Sequence, residues 1–262
     1  MSSEIDQPVL EELYVVTLGQ FRVSSDSRTI DEVAWVREKA RILFQYFITN
    51  RSQFISRERI IYELWPDLDS EAARRDFKVA LSAVNRALKG NQQRPAAAYI
   101  QRQGLTYGLN SSFVTVDADI FETKLGQGRR EEKTDIQASI SHYREGLEMY
   151  GGDYLPERLY DDWSSGERER LTTMFLLSST ALASLLLSAD EPDEAILWSQ
   201  RVTAVDLLWE EAYRIQIKAF GLKGNRPKSI QIYSRFRQIL KEQLGVEPMA
   251  ETTAIYNQII GG

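Results

Sequence analysis

Along the first hundred residues, short β-type runs alternate with segments whose apolar positions recur at helical spacing. Residues 13–23, LYVVTLGQFRV, contain two β-rich runs around Leu18-Gly19-Gln20, which predicts an antiparallel ribbon. Ala40, Leu43, Phe44 and Phe47 make the stripe of a helix predicted over residues 37–49. Ser56 is placed to cap a short helix with Ile60, Ile61 and Leu64 inward, and Trp65-Pro66 stops it. Asp67-Leu68-Asp69 leads into a helix predicted over 71–89, with Phe77, Leu81, Val84 and Leu88 on one face. Its opposite face carries Arg75, Lys78, Val79, Ser82 and Arg86. After a polar connection containing Pro95, two β runs, 98–102 and 106–109, flank Gln103-Gly104-Leu105. A basic-faced helix followed by a small hairpin is what a winged helix-turn-helix presents to DNA.

From Val116 onward the texture is nearly continuous helix. Helices are predicted over 117–125, 135–150, 163–188, 193–205, 208–222, 227–244 and 248–259. Gly151-Gly152, Gly224-Asn225 and Gly245 stand at helix ends, and Pro192, Pro227 and Pro248 at or just before starts. An internal repeat runs at an offset of 35: PDEAILWS from Pro192 aligns with PKSIQIYS from Pro227, with a looser unit over 135–188. That period resembles the roughly 34-residue tetratricopeptide pattern, whose stacked hairpins present a surface to peptides or other domains. The expected fold is therefore mainly α: an α+β winged helix-turn-helix domain, then an all-α, tetratricopeptide-like helical-hairpin domain. The expected division is a disordered leader over 1–12, the winged helix over 13–112 and the helical domain over 113–262.

Charge divides the same way. The net charge is −6, yet residues 1–110 hold 15 Lys and Arg against 14 Asp and Glu. Within 70–110 there are seven basic residues against Glu71 and Asp76 alone. Binding responds to local potential within a Debye length of about 8–10 Å, so the acidic total does not exclude nucleic acid. Cysteine is absent and His142 is the only histidine, which excludes thiolate chemistry and an ordinary transition-metal site. Gly221-Leu-Lys-Gly224 and Gly126-Gln-Gly128 lack the phosphate-loop frame and read as helix ends; Asp161-Asp162 and Glu210-Glu211 suit helix starts. The residues point to no catalytic role, no metal and no cofactor. The acidic start lacks the form of a secretory signal, and serines and a threonine break the apolar run over 174–187; a cytoplasmic, membrane-free protein is expected.

A helix entering the major groove needs long donors for phosphates and base edges, small residues at close approach, and an apolar rear. Arg74, Arg75 and Lys78 supply the phosphate donors. Val79, Ser82 and Arg86 are placed for base readout, with Ala83 as a further small residue and Asn85 as a possible adenine partner. Arg102 and Gln103 are the wing candidates, while Tyr107 reads as core. Two other readings fit the same residues. One is an adaptor whose winged helix contacts protein; the other is a small-molecule sensor with ligand between hairpins near Trp198, Trp209 and Tyr213.

The chain also resembles a known family along nearly its whole length. Glu63-Leu64-Trp65-Pro66, the helix RRDFKVALSAVNRAL and the strand Tyr107-Gly108-Leu109 are similar to the OmpR/PhoB-type winged helix. The remainder resembles the bacterial transcriptional activation domain of Streptomyces antibiotic regulatory proteins (SARPs). It does so through Val116-Asp117-Ala118-Asp119-Ile120-Phe121, Gly152-Asp153-Tyr154-Leu155, and Trp163 with Arg170-Leu171. The most specific match is Trp209-Glu-Glu-Ala-Tyr213 with Tyr233, Leu240 and Leu244-Gly245-Val246-Glu247-Pro248. The resemblance implies a transcriptional regulator, usually an activator, that binds direct-repeat promoter elements in double-stranded DNA, often as a side-by-side dimer. It implies RNA polymerase as partner, through its σ factor and the C-terminal domain of its α chain, with the turn Pro66, Asp67, Asp69 as a contact. Two departures stand out: Ala83 and Asn85 occupy positions where the family commonly carries arginines, and Thr106-Tyr107 replaces its usual Gly-Tyr wing turn.

Overall fold

The computed structural model describes residues 11–89 and 99–261. The first ten residues of the expected leader, and the connection holding Arg94 and Pro95, lie outside them. Two compact units emerge. One comprises the chain up to Asp119 together with Gly151–Glu169; the other comprises Ile120–Tyr150 and the chain from Arg170 onward.

The first unit contains β1 (Leu13–Val16), β2 (Arg22–Ser25), β3 (Arg28–Ile30), a 3₁₀ turn (Glu32–Trp35) and α1 (Glu38–Thr49). There follow β4 (Ile55–Ser56), α2 (Arg57–Leu64), α3 (Ser70–Lys89), β5 (Ile100–Gln103), β6 (Thr106–Leu109) and β7 (Val114–Val116). The predicted ribbon forms as β1 and β2. Strands β3 and β7, too short to show alternation, complete a sheet ordered β3-β2-β1-β7 with β7 parallel to β1. Its period-two pattern buries Leu13, Val15, Val23, Ile30, Val114 and Val116. Trp35 stacks on Phe44 of α1 at 5.4 Å, with Phe21 within 6.2 Å of Trp35.

Ser56 caps α2 as expected, its hydroxyl accepting from the Arg59 amide at 3.3 Å. Asp69 caps α3, accepting from the amides of Glu71 and Ala72 at 2.9 Å each. Fully buried Phe77 packs edge-on against Tyr107 at 5.1 Å and Trp65 at 6.2 Å, so Tyr107 is core. The wing pair β5-β6 gains a third strand, β4, with Ile55 opposite Tyr107.

Residues 151–169 complete this unit. The Gly19 amide donates to the Asp153 carbonyl and the Leu155 amide to that of Thr17, both at 2.9 Å. Gly19 has φ +89°, and a Cβ there would stand 2.6 Å from the Gly151 carbonyl carbon, so only glycine fits this crossing. Tyr154 is buried, with its hydroxyl 3.0 Å from that of Thr49. Arg51 joins Asp119 at 2.6 Å and Glu167 at 2.9 Å. Gly151-Gly152, expected as a helix end, thus serves as a docking point for the β1–β2 turn.

The helical elements are α4 (Asp117–Glu131), α5 (Ile136–Glu148), α6 (Asp162–Ser188), α7 (Pro192–Val205), α8 (Glu210–Leu222), α9 (Arg226–Gln243) and α10 (Ala250–Gly261). Helix α4 runs six residues past its expected end because Gly126 and Gly128 lie inside it. A Cβ on Gly128 would meet the Tyr143 ring at 2.9–3.0 Å, so the glycine admits α5's tyrosine against α4. The repeat is also sharpened. The N-cap residues Glu191 and Asn225 lie 34 apart, and fully buried Ala195 and Ser229 keep that interval. Pairing the prolines overshoots by one, since Pro192 is the first residue of α7 and Pro227 the second of α9. Ser229 donates to the Ile217 carbonyl at 2.9 Å and Ser139 to that of Gly128 at 2.8 Å: a small residue sits where two helices come close. Helix α10 is held on α8 by Glu210, which accepts from the Met249 amide at 2.8 Å and the Thr252 hydroxyl at 2.5 Å. By length and composition α6 is apolar enough to cross a membrane, with 44% of its apolar window buried. Leu171, Phe175, Leu182 and Leu186 lie in the core, as also befits the long helix of a stacked array.

Candidate nucleic-acid interface

Helix α3 separates its faces cleanly. Ala73, Phe77, Ala80, Ala83, Val84, Ala87 and Leu88 are buried, while Arg74, Arg75, Lys78, Val79, Ser82 and Arg86 are exposed. Two expectations shift. Leu81 is only half-buried, and Ala83, taken as a small residue of the reading face, is 6% exposed and belongs to the core. Asn85 is half-buried; Arg102 and Gln103 are exposed on the wing.

Two grooves flank the exposed stripe. On the wing side a groove of about 520 Å³ gathers Arg57, Lys78, Ser82, Asn85 and Arg102 around Leu81 and Tyr107. Arg102 is braced there, its Nε donating to the Gly104 carbonyl at 2.8 Å and its guanidinium 5.8 Å from the Tyr107 ring centre. The Asn85 Oδ1 and the Arg57 Nε are buried and have no hydrogen-bond partner among the described residues. On the opposite flank a groove of about 420 Å³ is lined by Arg37, Glu38, Lys39, Trp65, Asp76 and Val79. Lys39 donates to the Leu64 carbonyl at 2.6 Å and lies 5.5 Å from the Trp65 ring centre; the buried Trp65 Nε1 has no acceptor among the described residues. Buried polar atoms without a partner are uncommon; Arg57 Nε and Trp65 Nε1 leave a donor open here and Asn85 Oδ1 an acceptor.

The structure thus gathers Lys78, Ser82, Asn85 and Arg102 in one groove and sets Val79 in the other. Arg75 and Arg86 stand on the stripe between them. Arg74 lies close enough to Glu58 to help hold that carboxyl below its ordinary value, after the larger effect of the Arg57–Glu58 bond at 2.9 Å. Sequence reasoning missed Arg57, Arg37, Lys39 and Trp65. Ser56 as a cap fixes Arg57 as the first residue of α2, but nothing in the spacing shows that β4 pairs with β6 and so turns that position toward the wing. Pro66, Asp67 and Asp69 are all exposed in the turn before α3. The Asp69 carboxylate is engaged by the Ala72 and Glu71 amides, which hold its pKa below the usual value. Of the aromatic positions considered for a ligand, Trp198 and Tyr213 are core: Tyr213 stacks on Phe236 at 4.2 Å and Trp198 donates to Glu194 at 3.1 Å. Trp209 is half-buried, with no acceptor for its Nε1 among the described residues.

Comparison with known proteins agrees with this architecture. The chain is 21% identical over 223 residues to "Transcriptional regulatory protein MoaR1" of Mycobacterium tuberculosis, covering 85% of this chain and 72% of that protein. The fold superimposes on Mycobacterium tuberculosis EmbR, solved in complex with a low affinity phosphopeptide, with TM-score 0.81 at 17% identity. That match covers 96% of this chain and 65% of the solved one, so the chain spans just under two thirds of that protein. Residues 116–260 match the family described as "Bacterial transcriptional activator domain". The chain belongs to that family and is a SARP-type transcriptional regulator.

Proposed function

We propose that the protein binds double-stranded DNA through α3 and the wing, and activates transcription from direct-repeat promoter sites by recruiting RNA polymerase. The observation that carries this reading is the wing-side groove, where Arg57, Lys78 and Arg102 converge beside the unpaired Asn85 Oδ1. Three cations and no carboxylate line it, which suits a backbone phosphate. The second groove balances Arg37 and Lys39 with Glu38 and Asp76, so it offers the strand on the other side of the helix the free Trp65 N–H and no net positive charge. Ser82 on the wing-side edge, Val79 on the opposite edge and Arg86 between them would face the base edges, with Val79 suited to a thymine methyl and Arg86 to guanine. Arg75 reaches phosphate from the stripe, Arg74 from its edge, and Gln103 from the wing tip. Two copies side by side would occupy a direct repeat. In the turn before α3, Asp69 is committed to its cap, so Pro66 and Asp67 are the groups left to meet a basic surface of the polymerase, on the σ factor or on the C-terminal domain of the α chain.

Fluorescence anisotropy on the upstream region, titrated across salt, tests the reading. Each neutralised phosphate contributes about −0.9 to the slope of log K against log salt. Lys78→Ala should weaken all sequences alike and flatten the slope, whereas Arg86→Ala should also relax specificity. Binding insensitive to both changes, with a protein partner retained, favours the adaptor reading.

A further inference from the structure

The helical unit holds a cavity separate from the aromatic positions of its core. It opens between α6, α8 and α10 and has a volume of about 470 Å³, within the range of roughly 300–1,000 Å³ in which small ligands bind. Its walls are the aliphatic side chains Leu187, Leu222, Ile255 and Ile259, with no aromatic ring among them. Nearby Tyr213 and Phe236 are committed to one another in the buried cluster, and Tyr256 packs against it. The Gly221 backbone forms part of the lining, and a Cβ there would lie 3.0 Å from Ile259. Such a lining fits a flexible alkyl group in preference to a flat ring.

The polar part of the lining has one sign. Lys218 is the single ionisable side chain in it, and neither Lys218 nor Gln258 has a hydrogen-bond or ion-pair partner among the described residues. Two hydroxyls, Ser184 and Ser188, complete the polar lining. Nearby cations are already engaged: Arg214 pairs with Glu251 and Lys223 with Asp193. A cation without a counter-ion above an aliphatic floor calls for an anion attached to an alkyl chain. We propose that this cavity binds a small aliphatic carboxylate, its chain along Leu187, Leu222, Ile255 and Ile259 and its carboxylate on Lys218 and Gln258. The site is independent of the DNA reading, and its ligand would give the helical unit a chemical input.

Isothermal titration of the full chain with butanoate, hexanoate, octanoate and 1-octanol tests this. Affinity should rise about three-fold for each added methylene until the cavity is filled. Octanoate should bind about five-fold more tightly than 1-octanol. Lys218→Gln, an exposed position, should abolish that preference at unchanged melting temperature, and Ser184→Phe should block both ligands. The proposal is overturned by no binding at millimolar concentration, by affinity independent of chain length, or by a preference that survives Lys218→Gln. It is equally overturned if a peptide ending in a free leucine carboxylate binds while octanoate does not, which would make the cavity a receptor for chain ends.

Discussion

Asp117 is 2% exposed and accepts four backbone or hydroxyl donors at the point where β1 ends and α4 begins. Its Oδ1 takes the Thr17 hydroxyl at 2.5 Å, the Thr17 amide at 2.9 Å and its neighbour's Ala118 amide at 2.8 Å, and its Oδ2 takes the Leu18 amide at 3.0 Å. In Asp117→Asn the amide nitrogen replaces one oxygen and faces a donor with a donor. If the nitrogen takes the Oδ2 position, the buried Leu18 N–H loses its acceptor, at a cost of about 1–3 kcal/mol. The remaining bonds lose their charge assistance, which adds on the order of 1 kcal/mol. A total of about 2–4 kcal/mol is therefore expected for Asp117→Asn. Asp119→Asn is the control: its side chain is 54% exposed and Arg51 keeps Glu167, so the loss should stay below about 1 kcal/mol. The assay is urea denaturation followed by tryptophan fluorescence, since Trp35, Trp65 and Trp163 report on the first unit, with amide exchange of β1 as a local readout. Equal, sub-kilocalorie losses in both variants would refute the account of Asp117 as the knot of this unit.

Further outcomes follow from the same geometry. Phe77→Ala should cost about 3–5 kcal/mol and abolish DNA binding together with the fold of the first unit, read by circular dichroism. Arg57→Gln should leave the melting curve unchanged while reducing the salt slope by about 0.9, a change that a purely structural arginine would not give. Gly128→Ala should destabilise the helical unit by about 1–3 kcal/mol through overpacking on Tyr143, and Tyr143→Leu in the same chain should recover part of it. Glu194 has a lowered pKa, chiefly through its bonds from Arg144 at 2.7 and 2.8 Å and then from Trp198. Its contribution to stability is thus complete above the ordinary carboxylate range and falls away as pH drops below about 5. Glu194→Gln should flatten that acid limb; an unchanged limb in pH-dependent melting would count against the assignment.

Helices with a strong one-sided pattern could be read directly, and their errors have local causes. Phe77, Val84 and Leu88 on the buried face of α3 follow from spacing, as do the cap at Ser56 and the stop at Trp65-Pro66, whereas Leu81 and Ala83 do not. Glycine misled the reading of α4 because a glycine that admits a neighbouring ring looks, in one dimension, like a glycine that ends a helix. The three-residue strands β3 and β7 were invisible because alternation needs more positions than they possess. The helix start near Asp162 was legible, but the docking of residues 151–169 on the first unit was not, because its partners are more than a hundred residues away, at Thr17, Leu18 and Thr49.

At the site, the stripe was readable and its surroundings were not. Arg75, Lys78, Val79, Ser82 and Arg86 share a face by helical arithmetic alone. Arg57, Arg37, Lys39 and Trp65 arrive from other elements, so only the pairing of β4 with β6 and the packing of α1 near α3 bring them close.

The motifs that carried the family resemblance are, in this structure, mostly fastenings. Asp117 ties β1 to α4, Gly152-Asp153-Tyr154-Leu155 docks on the β1–β2 turn, and Glu210 caps α10. Arg237 and Glu247 form a clamp at 2.5 and 3.0 Å just ahead of that helix. Asp117 satisfies several buried donors at once, whereas the Arg237–Glu247 pair is solvent-exposed and holds its helix only lightly. The two departures in α3 differ in consequence. Ala83 lies on the core side of α3, where no longer side chain could reach a groove, so its smallness removes no contact. Asn85 does border the wing-side groove, and its unpaired Oδ1 can accept where an arginine could only donate. On the proposed DNA-binding mode, the operator should therefore differ from that of arginine-bearing relatives chiefly at the base pairs beneath Asn85. Asn85→Arg, assayed by selection from randomised duplexes, should move the preference there and leave the positions under Val79 and Ser82 unchanged.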